Sequence, residues 1–92
     1  MTKLSDTDLD TGLGRLPGWS REGDTIARTY EHADFRVALA FVRYVGEIAE
    51  AMGHHPDIDV RYNRVRLAVT THDAGGLTDK DLELARRIDG VR

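Results

Sequence analysis

The strongest constraint on the fold of this chain is one long helical segment, residues 34–52, in a protein of 92 residues. Asp34 is a favourable N-cap and Gly53 a favourable C-cap for it. Its charged side chains form only a narrow stripe, and its apolar side chains cover much more of the helix. An ordinary surface helix buries about 100° of its circumference or a little more. We therefore expect this helix to be covered by its own domain and also by a second subunit. Its apolar residues are Phe35, Val37, Leu39, Phe41, Val42, Val45, Ile48, Ala49 and Met52.

Two pairs of short segments with alternating apolar residues flank the long helix. In the first pair, Glu22-Gly23-Asp24 predicts a turn before the alternation of residues 25–30. Trp19 is expected to pack against that hairpin. In the second pair, residues 58–62 and 65–69 each alternate at period two, which predicts two strands joined near residues 62–64. Tyr62 is expected to lie in the core.

A helix is predicted at each end of the chain. Ser5 is suited to cap the first helix, and Pro17-Gly18 ends that segment. Thr78 caps the last, and Asp81 three residues later resembles the acid of a capping box. The expected order is α-β-β-α-β-β-α in a single domain, residues 1–92. Strands joined by short turns favour an α+β fold, a four-stranded antiparallel sheet with helices packed on one face.

Composition excludes several functional classes. The formal net charge is −3 and the arginines are interleaved with acids, which argues against nucleic-acid binding because a concentrated basic face is missing. No apolar run approaches the ~20 residues that a membrane-spanning helix needs. The N-terminal segment has no hydrophobic signal region, and cysteine is absent, so we expect a cytoplasmic protein without thiol chemistry.

The stretch "EAMGHHPDIDVRY", residues 50–62, carries the candidate chemistry. Proline pushes the preceding His55 to an extended backbone, and neighbouring side chains of an extended chain point to opposite sides. His54 and His55 therefore do not easily share one metal ion. The pair is open to three interpretations, namely a metal site, an acid/base site and polar loop residues.

A third histidine, His72, follows the fourth predicted strand, 17 residues after His55. If the last two strands pair as a hairpin, the start of one lies beside the end of the other, so His72 is expected near His54 and His55. A three-histidine zinc site is one consequence to consider, but the spacing fits no usual zinc pattern. Imidazoles, whose unperturbed pKa is about 6.5, also suit proton transfer near neutral pH.

The spacing of these residues resembles that of the pterin-4a-carbinolamine dehydratase family, also called 4a-hydroxytetrahydrobiopterin dehydratase. The motif comprises Glu50, His54-His55-Pro56, Tyr62, His72 and the stretch "DAGGLTDKDLELA" with Asp81. The resemblance implies an α+β subunit assembled as a homodimer or homotetramer through sheet edges and the long helix. It implies a hydro-lyase that removes water from 4a-hydroxytetrahydropterin to give quinonoid dihydropterin, in tetrahydrobiopterin recycling, with no metal and no organic cofactor.

The resemblance also implies roles for individual residues. His54 and His72 are expected to be the acid and base on the two faces of the pterin, and His55 to orient the ring and assist. The expected substrate-binding residues are Glu50, which would orient a histidine, Asp81, which would support His72 or the pocket, and Thr70, Thr71 and Asp73 beside His72.

Two positions depart from animal members of the family, which often carry an aromatic residue in place of Ile58 and an acid in place of Gly53. Loss of an aromatic wall would weaken stacking on the pterin without touching proton transfer. The alternative function that this resemblance leaves open is a non-catalytic module for pterin binding or protein dimerisation on the same fold.

Overall fold

A computed structural model describes residues 2–90, so that positions 1, 91 and 92 of the expected domain lie outside the described residues. The order of elements is the predicted one, α-β-β-α-β-β-α. The elements are α1 (Asp6–Leu13), β1 (Ser20–Glu22), β2 (Thr25–Glu31), α2 (Phe35–Met52), β3 (Asp57–Arg61), β4 (Arg64–Val69), a short 3₁₀ turn (His72–Ala74) and α3 (Asp79–Asp89).

The four strands form one antiparallel sheet in the order β1-β2-β4-β3. The predicted α+β fold is therefore confirmed. Strands β3 and β4 form a hairpin in which Asp57 pairs with Ala68 and Arg61 with Arg64. This register places the start of β3 beside the end of β4, the relationship on which the expected meeting of the histidines depends.

Local signals fix the helix ends where they were predicted. Asp34 accepts a hydrogen bond from the backbone N–H of Val37, 2.9 Å away, at the start of α2. Gly53 ends that helix in the left-handed conformation at φ 63°, which glycine adopts without steric cost. Thr78 and Asp81 form the predicted capping box of α3.

The core lies between one face of the sheet and the helices. It draws aliphatic side chains from β2, β4, α2 and α3, with Trp19 buried among them as expected. The core residues are Leu9, Leu16, Trp19, Ile26, Ala38, Val45, Ala49, Val65, Leu67, Val69, Leu77, Leu82, Leu84, Ala85 and Ile88.

A polar cluster fastens the end of α3 to the sheet. The carboxylate of Asp89 accepts hydrogen bonds from Trp19 Nε1 at 2.9 Å, from Arg28 at 3.0 Å and from the Tyr30 hydroxyl. Burial, together with the hydrogen bond to Asp89, raises the pKa of the Tyr30 hydroxyl well above its usual value. Tyr30 therefore stays protonated and continues to donate to Asp89.

The wide apolar face of α2 is only partly covered within the subunit. Phe35 and Leu39 are 46% and 47% exposed on one side of the helix, and Val37 and Tyr44 are 44% and 45% exposed on another. The expectation that Tyr62 lies in the core is wrong, since its exposed fraction is 67%. Strand β3 ends at Arg61, and Tyr62 adopts φ 50° in the hairpin turn. Within residues 2–90, no helix is both long and apolar enough to cross a membrane.

Candidate active site

An open pocket of about 280 Å³ lies where the end of α2, the end of β4 and the start of α3 meet. Its size is close to the lower end of small-molecule sites, which is about 300 Å³. The expected meeting of the His54-His55 loop with His72 is confirmed, because all three histidines line this pocket. The lining residues are Gly53, His54, His55, Thr70, Thr71, His72, Asp73 and Lys80.

His54 is held by a carboxylate from another element. Its Nε2 lies 2.7 Å from Oδ1 of Asp81, and the side chains are 11% and 0% exposed. A buried carboxylate needs hydrogen-bond donors because water cannot reach it. The contact therefore fixes the ring of His54 at the pocket wall and satisfies one oxygen of Asp81.

The second oxygen of Asp81 has two further donors. The Thr71 hydroxyl and the backbone N–H of Thr78 each lie 2.8 Å from Oδ2. The bond from Thr78 is the reciprocal half of the capping box. The Asp81 carboxylate thus caps the start of α3 and also positions His54. It has the structural role predicted from the sequence and, in addition, a role in the site.

His55 turns away from His54, as the extended backbone before a proline predicts. Its Nε2 contacts the Glu50 carboxylate, and the two side chains are 62% and 78% exposed. Glu50 therefore orients a histidine, as expected. Among the residues that the structure describes, no three ligating side chains converge on a point that could hold a metal ion. The geometry thus gives the zinc alternative no support.

His72 reaches the same pocket from another element, the 3₁₀ turn that follows β4. Its ring is exposed and makes no hydrogen bond to any residue in the described part of the chain. Asp73 and Lys80 add one acidic and one basic side chain to the pocket lining. Sequence reasoning missed Lys80, although its position next to Asp81 at the start of α3 places it on the same side of the fold.

Several expectations for the site need correction. Of the two alternatives for Asp81, it supports the pocket, through His54, and does not contact His72. Asp81 and Glu50 each contact a pocket histidine but are not themselves on the pocket lining. The hydroxyls of Thr70 and Thr71 are both engaged within the protein, the first by the carbonyl oxygen of Asp24 and the second by Asp81. Ile58 is absent from the pocket lining, so its difference from the aromatic residue of animal members does not open this wall.

Similarity to known proteins extends over nearly the whole chain. The family model described as "Pterin 4 alpha carbinolamine dehydratase" matches residues 2–91. A Chloroflexus aurantiacus protein named "Putative pterin-4-alpha-carbinolamine dehydratase" is 56% identical over 91 residues, which is 99% of this chain and 98% of that protein.

Two solved structures share the fold. The "transcriptional coactivator/pterin dehydratase" of Brucella melitensis superposes with a TM-score of 0.92 at 30% identity and covers 97% of both chains. A pterin dehydratase-like protein described as a RuBisCO assembly factor in the alpha-carboxysome has a TM-score of 0.67 at 18% identity. The match covers 79% of this chain and 87% of that one. The second likeness shows the fold alone.

Proposed function

This chain belongs to the pterin 4 alpha carbinolamine dehydratase family, and we propose that it dehydrates 4a-hydroxytetrahydropterins with His54 and His72 as acid and base. The observation that carries the assignment of residues is the pocket itself. Two imidazoles from different elements line one pocket, and one of them is held by a buried carboxylate. A flat bicyclic substrate between them would present one face to each ring.

The reaction requires one proton to be delivered and one to be removed. The C4a–O bond breaks, and the departing oxygen leaves as water after receiving a proton from the acid. The N5–H bond breaks as the C4a=N5 double bond forms, and the base takes that proton. No electrons are exchanged with another molecule, so no redox cofactor is needed, and we propose that the two imidazoles carry both proton transfers without a metal. A well-placed acid or base typically contributes about 10²- to 10⁴-fold.

The other pocket residues have supporting roles in this proposal. His55 orients the ring and is itself oriented by Glu50. Asp73 offers a carboxylate at the pocket rim, and Lys80 a cation. Thr70 and Thr71 shape the wall, because their hydroxyls are already engaged within the protein. We expect their backbone atoms, rather than their hydroxyls, to face a bound pterin.

We also propose that the subunit works as a homodimer or homotetramer. Phe35, Val37 and Leu39 expose nearly half of their surface on a single helix. Fully burying an exposed side chain of this kind is worth about 1.5–3 kcal/mol, so covering the exposed half is worth roughly half as much. We propose that a second copy of this chain covers the side of α2 that exposes Phe35 and Leu39. A cytoplasmic location in pterin recycling belongs to the same proposal, because a pterin-dependent hydroxylase must release the carbinolamine where this protein meets it.

Stopped-flow absorbance with freshly generated 4a-hydroxytetrahydropterin tests the function directly. The native protein is expected to accelerate dehydration over buffer. His54→Ala and His72→Ala should each lower kcat by at least about tenfold, with circular dichroism spectra unchanged. His32→Ala is the matched control, since His32 lies outside the pocket lining.

Unchanged rates in both pocket variants would overturn the acid/base assignment. No acceleration by the native protein would overturn the enzymatic proposal as a whole.

A further inference from the structure

The pocket histidine His54 is connected through Asp81 to two buried threonines whose hydroxyls are bonded within the protein. Thr71 and Thr78 are 7% and 0% exposed. Their hydroxyl oxygens lie 2.8 Å apart, and Thr71 Oγ1 lies 2.8 Å from Asp81 Oδ2. Such a buried network is costly unless every member is satisfied, so the position of each hydrogen can be worked out.

The directions of these hydrogen bonds follow from the chemistry of the groups. An ionised carboxylate only accepts, so Thr71 must donate its one hydroxyl hydrogen to Asp81. The bond between the two hydroxyls must then be donated by Thr78. Thr78 Oγ1 in turn accepts from the backbone N–H of Lys80, 3.2 Å away in the first turn of α3. Each group therefore donates to the next, from the backbone N–H of Lys80 through the two threonine hydroxyls to Asp81.

The same logic fixes the tautomer of His54. Because Asp81 Oδ1 accepts, the hydrogen on the ring of neutral His54 must be on Nε2. Nδ1 is then the nitrogen left for chemistry. Within residues 2–90, His32 Nε2 is the one buried side-chain nitrogen or oxygen that lacks a hydrogen-bond partner. His54 Nδ1 has no such partner either, but it is not buried, so this nitrogen keeps contact with solvent at a residue that lines the pocket.

We infer that Thr71 is a positioning residue for the proposed dehydration, on which this inference rests. By donating to Oδ2 it fixes the orientation of the Asp81 carboxylate, so that Oδ1 stays directed at His54 Nε2. This keeps His54 in the Nε2–H tautomer and assigns proton exchange with the substrate to His54 Nδ1. Among the described residues, neither His55 nor His72 is hydrogen-bonded to a buried carboxylate. His54 is therefore the pocket histidine whose tautomer the fold sets.

The first test is the ring ¹⁵N spectrum of the native protein, with the four histidines assigned by single substitutions. The inference predicts the Nε2–H pattern for His54 at a pH where the ring is neutral. An Nδ1–H pattern, or an even mixture of the two tautomers, would overturn it. This measurement needs no activity, so it separates a failure of the hydrogen-bond chain from a failure of the proposed function.

The second test compares Thr71→Val with Thr71→Ser. Valine has nearly the shape of threonine but no donor, so we expect a mixed His54 tautomer and a kcat lower by about tenfold, with KM little changed. Serine keeps the donor and should restore both. Loss of kcat in Thr71→Val with the native tautomer retained would overturn the positioning role, as would rescue of neither property by serine in a folded protein.

Discussion

His54 Nε2 and Asp81 Oδ1 lie 2.7 Å apart, although 27 positions separate the two residues in the chain. The contact joins the loop after α2 to the first turn of α3. Because the Asp81 side chain has no exposed surface, water cannot replace a lost partner. Changes at Asp81 are therefore expected to affect both the fold and the chemistry.

Asp81→Asn is predicted to lower kcat by about 10- to 100-fold and the free energy of unfolding by about 1–3 kcal/mol. The amide presents one acceptor and one NH₂ group to three donors, from His54, Thr71 and Thr78, so at least one donor is left facing another. Stopped-flow kinetics and urea denaturation would measure the two effects.

Asp79→Asn is the matched control, since Asp79 is exposed and lies in the same helical turn. It should lose only its favourable interaction with the helix dipole, about 0.3–1 kcal/mol. Equal losses in the two variants would contradict a special role for Asp81.

The pair formed by His55 and Glu50 should behave differently. Both side chains are more than half exposed, and an exposed ion pair contributes about 0.2–1 kcal/mol. Glu50→Gln is predicted to change the free energy of unfolding by less than about 1 kcal/mol. It should lower kcat/KM by less than about fivefold, the equivalent of that energy. A loss as large as that of Asp81→Asn would show that Glu50 acts on the substrate rather than on His55.

The fold was predictable where signals are local. The ends of α2 follow from Asp34 and Gly53, which cap the helix through their own backbone and side-chain preferences. Tyr62 shows where such reasoning fails, because alternation along β3 continues into the turn in the sequence but not in space. Gly12 is a second case. A Cβ there would lie 2.5 Å from Leu82 Cδ1, a contact from another helix that no local pattern reveals.

The site was predictable to the level of neighbouring segments. Hairpin geometry brings His72 to the loop of His54 and His55, and it requires only the pairing of β3 with β4. The partner of Asp81 depends instead on how α3 packs against α2, so the sequence alone could not distinguish His54 from His72. The inward direction of the Thr71 hydroxyl depends on the same packing.

Assembly through the exposed side of α2 can be tested with two substitutions. One is expected to affect association, and the other is expected to affect folding. Leu39→Glu is predicted to leave the subunit folded, because Leu39 is 47% exposed in the subunit. It should reduce the mass of the assembly in solution. Phe41→Glu should instead destabilise the subunit by about 3 kcal/mol or more. The ring of Phe41 lies 4.6 Å from that of Tyr30 and 4.8 Å from that of His32. Sedimentation and thermal unfolding would measure both variants, and an unchanged mass for Leu39→Glu would contradict the proposed interface.

The last prediction concerns alkaline pH. The pKa of Tyr30 is raised in the folded state, by burial and by its bond to Asp89, whereas in the unfolded chain it is about 10. Above about pH 10 the unfolded chain therefore releases a proton that the folded protein keeps, and the free energy of unfolding falls as pH rises. Tyr30→Phe retains the ring but has no proton to release. It should be less stable than the native protein at neutral pH by about 1.5–3 kcal/mol, and the difference should shrink as pH passes about 10.

Urea denaturation of the native protein, Tyr30→Phe and Tyr62→Phe across alkaline pH would measure this. Tyr62 is the matched control, since it is 67% exposed and its hydroxyl has no hydrogen-bond partner within residues 2–90. Global effects of high pH act on all three proteins alike, so they cancel in the differences. A gap between the native protein and Tyr30→Phe that stays constant with pH would mean that Tyr30 ionises as readily in the folded state as in the unfolded chain, and that the bond to Asp89 does not hold its proton.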